Sequence, residues 1–228
     1  MAGVVLIHGA WHGAWCWDPV VDRLSGLAGP VVAVELPLTG YADDVAAARA
    51  AVLAAAEAGP VVLVGHSYGG SVITAAGTGA EVAHLVYVAA FAPDEGETMH
   101  DAATGFPATP LADALVADDH GRVSVDPGAA VEAFYLDCER DDAMAAVARL
   151  RPMAASTFGT PTPAAAWRDH PCTYLLCEHD NAVHPDLQAH FAARTDSTVV
   201  RLAASHSPFL SQPGKVAAVL AGLAGPAG

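Results

Sequence analysis

The chain has 228 residues, of which 53% are hydrophobic, and it carries a formal net charge of −15 at pH 7 with only ten lysines and arginines. A chain of this length and composition can bury the core of one ordinary domain, which excludes a disordered protein. The negative charge argues against nucleic acids and anionic membrane surfaces as partners and favours a neutral or cationic small molecule as the ligand.

The sequence also bears on location and on the state of the cysteines. No stretch reaches the roughly 18 to 20 uninterrupted apolar residues of a membrane span, and the first eight residues lack the basic region of a signal peptide. We therefore expect a cytoplasmic protein, either a monomer or a homodimer, and the alanine-rich composition favours a bacterial origin. The cysteines show no C-x-x-C spacing and are expected to be buried, reduced thiols: Cys16, Cys138, Cys172 and Cys177.

Short, continuously apolar runs alternate with alanine-rich segments along the chain. Continuous rather than alternating hydrophobicity is typical of parallel strands that are buried on both faces, with helices as the connections between them. The pattern predicts an α/β fold with a mostly parallel six-stranded sheet and helices on both faces. The predicted strands are Val4–Ile7, Val31–Glu35, Val61–Val64, Leu85–Ala89, Thr173–Cys177 and Thr198–Leu202. The predicted helices of this core span about 43–58, 68–79, 186–194 and 213–223.

The segment between the fourth and fifth predicted strands has a different composition. It is proline-rich and some eighty residues long, which is too long for a loop. We expect residues 91–168 to form an inserted cap, with helices near 128–137 and 141–149, over the carboxyl ends of the strands. Residues 1–90 and 169–228 would then form the core.

The third predicted strand runs into the pattern Gly65-His66-Ser67-Tyr68-Gly69. G-x-S-x-G is typical of a nucleophile elbow, a sharp strand-to-helix turn that exposes the serine hydroxyl above the sheet. Glycine is needed at both flanks because a Cβ there would collide with the neighbouring strand or helix. A glycine-rich packing turn is the alternative, but the buried strand before the motif and the small-residue helix after it favour the elbow.

Ligands of an open parallel sheet bind outside the carboxyl ends of its strands, and polar residues collect there in this sequence. The glycine-bearing loop 8–15 follows the first strand, and its backbone N–H groups could face the same oxyanion as the N–H of Tyr68. Asp180 follows the fifth strand and His206 follows the sixth. Ser67, Asp180 and His206 thus give the chain order nucleophile, acid and histidine.

Several residues allow other interpretations. Asp94, which follows the fourth strand, is the second candidate for the acid, and His12 and His66 are expected to bond the backbone around the site. A metal could be suggested by the cluster His179, Asp180, His184 and His190, but its spacing fits no H-E-x-x-H pattern. Seven aromatic side chains could line a pocket or belong to the core: Trp11, Trp15, Phe91, Phe134, Tyr135, Phe158 and Trp167. From these we predict that the pocket is lined by Trp11, Phe91, Phe134, Phe158 and Trp167.

The sequence resembles the α/β-hydrolase fold in three features. These are the first loop His-Gly-Ala-Trp-His-Gly-Ala-Trp, the elbow Gly-His-Ser-Tyr-Gly-Gly, and the positions of Asp180 and His206. The resemblance is to the small-capped branch that contains plant methyl esterases, plant hydroxynitrile lyases and compact bacterial esterases. It implies that Ser67 is the nucleophile and His206 the general base and acid, with Asp180 orienting the histidine. It further implies that the oxyanion is held by the backbone N–H groups of Ala10 and Tyr68.

The expected activity is that of a serine hydrolase, which cleaves a small, largely apolar carboxylic ester, lactone or thioester through an acyl-enzyme without metal or cofactor. A lyase or cyclase on the same scaffold and a ligand-binding receptor are the alternatives. The lyases of the branch pair a threonine in the first loop with a lysine beside the histidine, whereas this chain has Gly9 and Ser207 there. The complete set of Ser67, Asp180 and His206 favours an enzyme over a receptor.

Overall fold

The computed structural model describes residues 1–225, and a parallel sheet lies at its centre. The strands in chain order are β1 (Gly3–Ile7), β2 (Val31–Val34), β3 (Val61–His66), β4 (Val82–Val88), β5 (Leu115–Ala117), β6 (Arg122–Val125), β7 (Met153–Ala154), β8 (Cys172–Cys177) and β9 (Thr198–Leu202). Six of them form the central sheet in the order β2-β1-β3-β4-β8-β9, with all neighbours parallel. This confirms the predicted fold class, and each predicted core strand lies within three residues of its observed bounds.

The helices connect the strands on both faces of this sheet. In chain order they are α1 (Asp18–Arg23), α2 (Tyr41–Ala56), α3 (Tyr68–Ala76), α4 (Met99–Ala103), α5 (Pro110–Asp113), α6 (Pro127–Phe134), α7 (Arg140–Val147), α8 (Pro185–Arg194), α9 (Pro208–Ser211) and α10 (Pro213–Ala224). Within residues 1–225, no helix combines the length and apolar character needed to cross a bilayer.

Burial on both faces explains why the strand sequences are continuously apolar. In β1, Val5 and Ile7 belong to a hydrophobic cluster shared with α2, α3 and α8. Val4 and Leu6, which point the other way, belong to a second cluster shared with α1 and α10. Because successive strand residues alternate between faces, a strand covered on both sides has no polar positions.

The long segment between β4 and β8 contains α4 to α7 and a second, antiparallel sheet in the order β5-β6-β7. The helices predicted near 128–137 and 141–149 appear as α6 and α7, and α6 begins where the Asp126 carboxylate accepts the N–H groups of Gly128 and Ala129. The sequence did not indicate the small sheet, because strands of two to four residues are too short to show a periodic pattern of hydrophobic residues. The division into a core and a cap at 91–168 stays a prediction, and residues 226–228 of the predicted core lie outside the described residues.

Candidate active site

The turn between β3 and α3 holds Ser67 in a strained conformation. Its φ and ψ angles are 52° and −121°, in a region that residues with a Cβ rarely adopt. A Cβ on Gly65 would lie 2.6 Å from the backbone carbon of Gly69, and a Cβ on Gly69 would lie 2.6 Å from the carbonyl oxygen of His8. The two flanking glycines therefore allow α3 and β1 to approach the turn closely. Among residues 1–225, the Ser67 hydroxyl makes no hydrogen bond, and it remains partly accessible on a residue that is 8% exposed.

His206 and Asp180 form a buried pair at the carboxyl ends of β9 and β8. Nδ1 of His206 lies 2.8 Å from Oδ2 of Asp180, and both side chains are almost completely buried. The other carboxylate oxygen accepts the backbone N–H groups of Ala182 at 2.7 Å and Val183 at 2.9 Å. These bonds fix the carboxylate, whose Oδ2 is placed to accept an Nδ1–H of His206.

The structure does not bring Asp94, the second candidate for the acid, to His206. Its carboxylate instead forms an ion pair with Arg168 at 2.5 Å, on the surface of the inserted segment. Within residues 1–225, no three histidine, cysteine or acidic side chains gather as metal ligands would. In the cluster His179, Asp180, His184 and His190, Asp180 is turned towards His206, while His190 packs against the ring of Phe106.

The candidate oxyanion donors lie on the same cavity as Ser67. Ala10, in the loop after β1, and Tyr68, the first residue of α3, both line this cavity. The first N–H groups of a helix have no intrahelical acceptor, which leaves the Tyr68 amide free for a ligand. Neither amide donates to another residue among the hydrogen bonds of residues 1–225. This arrangement can stabilise a negative oxygen placed next to Ser67.

The cavity has a volume of about 210 Å³, and its wall is mainly apolar. Of the five aromatic residues predicted for the pocket, Trp11, Phe91 and Phe158 line it, together with apolar side chains that include Met99, Leu111, Leu115 and Val183. Within the described chain, the wall contains no lysine, arginine or carboxylate, and His100 is its one titratable ring apart from the phenol of Tyr68.

Phe134 and Trp167 do not line this cavity, although both were predicted to do so. Phe134 is 1% exposed and packs behind the site, with its ring centroid 6.0 Å from that of Trp11 and 5.6 Å from that of His206. The Trp167 indole donates its N–H to the carbonyl of Pro93 at 3.0 Å, and the side chain is partly buried against the main hydrophobic cluster. Sequence spacing does not distinguish an aromatic ring on a cavity wall from one in the layer behind it.

Several positioning residues gave no sequence signal. Gln188 on α8 donates to Oδ2 of Asp180 at 2.9 Å, and it also bonds both backbone groups of Cys177. Asp44, in the first turn of α2, accepts the Tyr68 hydroxyl at 2.6 Å and the Leu38 N–H at 2.8 Å. Burial raises the pKa of this Asp44 carboxyl. Gln188 lies 8 positions from Asp180 and Asp44 lies 24 positions from Tyr68, and neither spacing belongs to a recognised motif.

Three buried histidines support the backbone around the site. A ring nitrogen of each lies 2.8 Å from a backbone carbonyl oxygen. The contacts are His8 Nδ1 with Gly9, His12 Nδ1 with Ala10, and His66 Nε2 with His206. Burial lowers the pKa of His8 to about 4 and that of His12 to about 3, and it lowers the pKa of His66 well below its usual range. All three imidazoles are therefore neutral near pH 7.

These histidines predict a steep loss of stability in mild acid. In the unfolded chain they bind protons below a pKa of about 6.5, while in the folded protein they remain neutral until the pH approaches 4. The unfolded state thus gains protons first, and stability falls as the pH falls. At about 1 kcal/mol per histidine and pH unit, we expect the free energy of unfolding to drop by about 3 kcal/mol between pH 6 and pH 5.

Urea unfolding at the two pH values measures this difference. The variant His120→Gln, which removes an exposed histidine, should show the same drop as the wild-type protein. An equal free energy of unfolding at pH 6 and pH 5 would contradict the prediction.

Comparisons with known proteins agree with the geometry. A family model described as the alpha/beta hydrolase family matches residues 4–219. The chain is 31% identical over 246 residues to the alpha/beta hydrolase nvfD of Aspergillus novofumigatus, covering 98% of this chain and 97% of that protein. It is 35% identical over 104 residues to methylesterase 7 of Arabidopsis thaliana, covering 40% of each. A crystal structure of a pyrethroid hydrolase from Sphingobium faniae superposes with a TM-score of 0.86 at 27% identity, covering 98% of this chain and 97% of that one.

Proposed function

The chain belongs to the alpha/beta hydrolase family and is an esterase-type carboxylic ester hydrolase, and we propose that it cleaves a small, largely apolar carboxylic ester, lactone or thioester through Ser67, His206 and Asp180. The observation that carries this proposal is the buried contact of 2.8 Å between His206 and Asp180, which is found together with an elbow serine that shares a cavity with two free backbone amides. The segment 91–168 would act as the cap that limits substrate size.

The proposed reaction is acyl transfer in two steps. Nε2 of His206 takes the proton of the Ser67 hydroxyl as Oγ attacks the ester carbonyl, and the carbonyl electrons move onto the oxygen. The amides of Ala10 and Tyr68 stabilise that oxyanion. As the oxyanion collapses, the bond to the leaving alcohol breaks, and the imidazolium returns its proton to the alcohol. Water then attacks the acyl-Ser67 ester by the same route and releases the acid.

Asp180 contributes by holding His206 rather than by taking its proton. Its Oδ2 accepts the Nδ1–H, which keeps Nε2 directed away from the carboxylate as the base, and the negative charge stabilises the imidazolium that forms. Gln188 and the backbone of residues 182 and 183 hold the carboxylate in place.

The cavity supports the choice of substrate class. Its volume of about 210 Å³ lies below the range of about 300–1,000 Å³ that is usual for drug-sized ligands, so a short acyl or alcohol group is favoured. No cationic side chain of the described residues lies on the wall to pair with a substrate carboxylate. A neutral ester is therefore preferred over one with a second, charged carboxyl group.

Lyase chemistry and ligand binding without turnover remain the alternatives. At the position where the lyases of this branch have lysine, Ser207 is fully buried and adds no positive charge beside His206. This favours hydrolysis over cyanohydrin cleavage. A receptor would bind an apolar ligand without releasing a product.

The proposal is tested with p-nitrophenyl esters from acetate to octanoate, by measuring the initial burst and the steady-state release of p-nitrophenol. We expect a burst that is stoichiometric with enzyme and a kcat/KM that is highest for a short chain, because the cavity is small. In Asp180→Asn the amide no longer holds the required His206 tautomer, and kcat should fall by about 10³–10⁴-fold.

Asp94→Asn is the matched control. It removes a carboxylate that also follows a core strand but pairs with Arg168, and it should retain the wild-type kcat. Absence of turnover for every ester, with Ser67 still labelled by a fluorophosphonate, would favour the lyase or cyclase alternative. Equal losses in the two variants would reject the role of Asp180.

A further inference from the structure

The loop that follows β1 combines a proposed catalytic group with a strained backbone. Ala10 supplies one of the two candidate oxyanion donors, and the next residue, Trp11, has a φ of 63°. A bulky residue with a positive φ persists only where its surroundings hold it in place. The contacts that hold this loop therefore also determine the direction of the Ala10 amide.

Many of these contacts come from the inserted segment between β4 and β8. The backbone N–H of Arg151 donates to the Trp11 carbonyl at 2.7 Å, and the Trp11 indole donates to the Val123 carbonyl at 3.0 Å. The Arg151 guanidinium donates to the His12 carbonyl at 2.9 Å and forms an ion pair with Glu35 at 2.5 Å. The insertion thus holds Trp11 by its side chain and its carbonyl, and His12 by its carbonyl.

His12 contacts the Ala10 carbonyl, which lies in the peptide between Ala10 and Trp11. Nδ1 of His12 lies 2.8 Å from the Ala10 carbonyl oxygen, and a carbonyl only accepts, so Nδ1 must carry the proton. The other nitrogen, Nε2, then has a lone pair, and it lies 2.8 Å from the hydroxyl of Tyr135 at the end of α6. Tyr135 therefore donates to His12, and His12 donates to Ala10.

All members of this relay are buried, which makes the hydroxyl of Tyr135 hard to replace. His12 is 1% exposed and Tyr135 is fully buried. Water is excluded, so without the hydroxyl Nε2 would lose its donor, and the Nδ1–H form would lose the bond that selects it. The ring of Phe134 packs edge-on against His12, with centroids 5.3 Å apart, and offers no hydrogen bond in exchange.

We propose that Tyr135 is a positioning residue for the oxyanion hole: its hydroxyl keeps His12 in the Nδ1–H tautomer, and the His12 ring holds the Ala10 carbonyl. The Gly9 carbonyl, whose peptide carries the Ala10 N–H, accepts the His12 backbone N–H at 3.4 Å, so that His12 fixes the chain on both sides of the Ala10 Cα and keeps the Ala10 N–H facing the cavity. This inference rests on the proposed role of Ala10 as an oxyanion donor. It makes the inserted segment part of the catalytic apparatus and not only a cover over the substrate.

Tyr135→Phe removes the hydroxyl and keeps the ring. Complete loss of an oxyanion donor lowers kcat by about 10²–10³-fold, and a misdirected donor should lower it by about 10–100-fold. KM should change by less than about 2-fold, because the amide acts on the transition state and not on the bound ester. The affinity for a trifluoromethyl ketone, which forms an oxyanion with the serine, should fall by the same factor as kcat, while that for the matching methyl ketone should not.

Tyr87→Phe is the matched control. It removes an equally buried hydroxyl, whose hydrogen-bond partner within residues 1–225 is Thr74, at 3.0 Å, and not a residue of the loop. It should match the wild-type protein in kcat and in affinity for both ketones. A structural loss of packing would change KM and the affinities for both ketones together. This result would distinguish it from the proposed effect, which changes kcat and the affinity for the trifluoromethyl ketone.

The ¹⁵N NMR signals of the His12 ring give a readout that does not depend on turnover. We expect a protonated Nδ1 and a hydrogen-bonded Nε2 in the wild-type protein, and a shifted Nε2 signal in Tyr135→Phe. A proton on Nε2 in the wild-type protein, or wild-type kcat and ketone affinity in Tyr135→Phe, would overturn the relay. If wild-type turnover does not depend on Ser67, the proposed function fails instead, and the NMR signals still decide whether the relay exists.

Discussion

Replacing Ser67 by alanine is expected to lower kcat for ester hydrolysis by about 10⁴–10⁶-fold. The hydroxyl is the only group at the elbow that can form the acyl-enzyme in the proposed mechanism, and the oxyanion amides and the cavity would remain. Residual turnover would then come from water in a site that still stabilises the oxyanion. The measurement is the steady-state rate with the best p-nitrophenyl ester of the series.

The fold should tolerate this change. The Ser67 hydroxyl makes no hydrogen bond among residues 1–225, and alanine at φ 52° is strained about as much as serine, so the melting temperature should stay close to that of the wild-type protein. Ser71→Ala is the matched control, because Ser71 lies one turn further along α3 and its hydroxyl bonds Tyr41 instead. Retention of more than about a tenth of the wild-type kcat in Ser67→Ala would rule out Ser67 as the nucleophile.

The parts of this fold that the sequence predicted are those with a local signal. Continuous apolar runs located the six strands of the central sheet, and the glycine pattern around Ser67 located the turn. The chain order of Asp180 and His206 then indicated a pair that the structure places 2.8 Å apart. Each of these signals arises because a buried parallel strand or a sharp turn restricts the residues at consecutive positions.

The parts that the sequence did not predict depend on side-chain contacts whose spacing in the chain follows no recognised motif. Gln188 reaches Asp180 from a helix, Asp44 supports Tyr68 from beneath the elbow, and Tyr135 supports His12 across 123 positions of the chain. Phe134 and Phe158 are similar aromatic residues in the same segment, yet Phe158 lines the cavity and Phe134 packs behind it. Such differences depend on how the insertion folds over the sheet, which cannot be predicted from the amino-acid composition of the segment.

Replacing Gly65 by alanine should strongly lower the stability of the fold. The added Cβ would lie 2.6 Å from the backbone carbon of Gly69, and backbone atoms of α3 cannot move aside as a flexible side chain would. To relieve the clash, α3 would have to shift away from β3, and Ser67 and the Tyr68 amide would shift with it. We expect the free energy of unfolding to fall by about 3 kcal/mol or more, and ester turnover to be lost with it.

Gly222→Ala separates this steric effect from the general effect of adding a methyl group. Gly222 lies inside α10, and beyond its chain neighbours and the nearby backbone of the helix no described atom lies within 4 Å of its added Cβ, so the alanine should stabilise the helix by about 0.5–1 kcal/mol. Urea unfolding of both variants measures the change in the free energy of unfolding, which should be negative for Gly65→Ala and positive for Gly222→Ala. The ester assay measures turnover in the same two variants. If Gly65→Ala unfolded at the wild-type urea concentration and kept its turnover, α3 would be able to move without displacing Ser67. The close approach of α3 and β3 would then not be what holds the serine in its strained conformation.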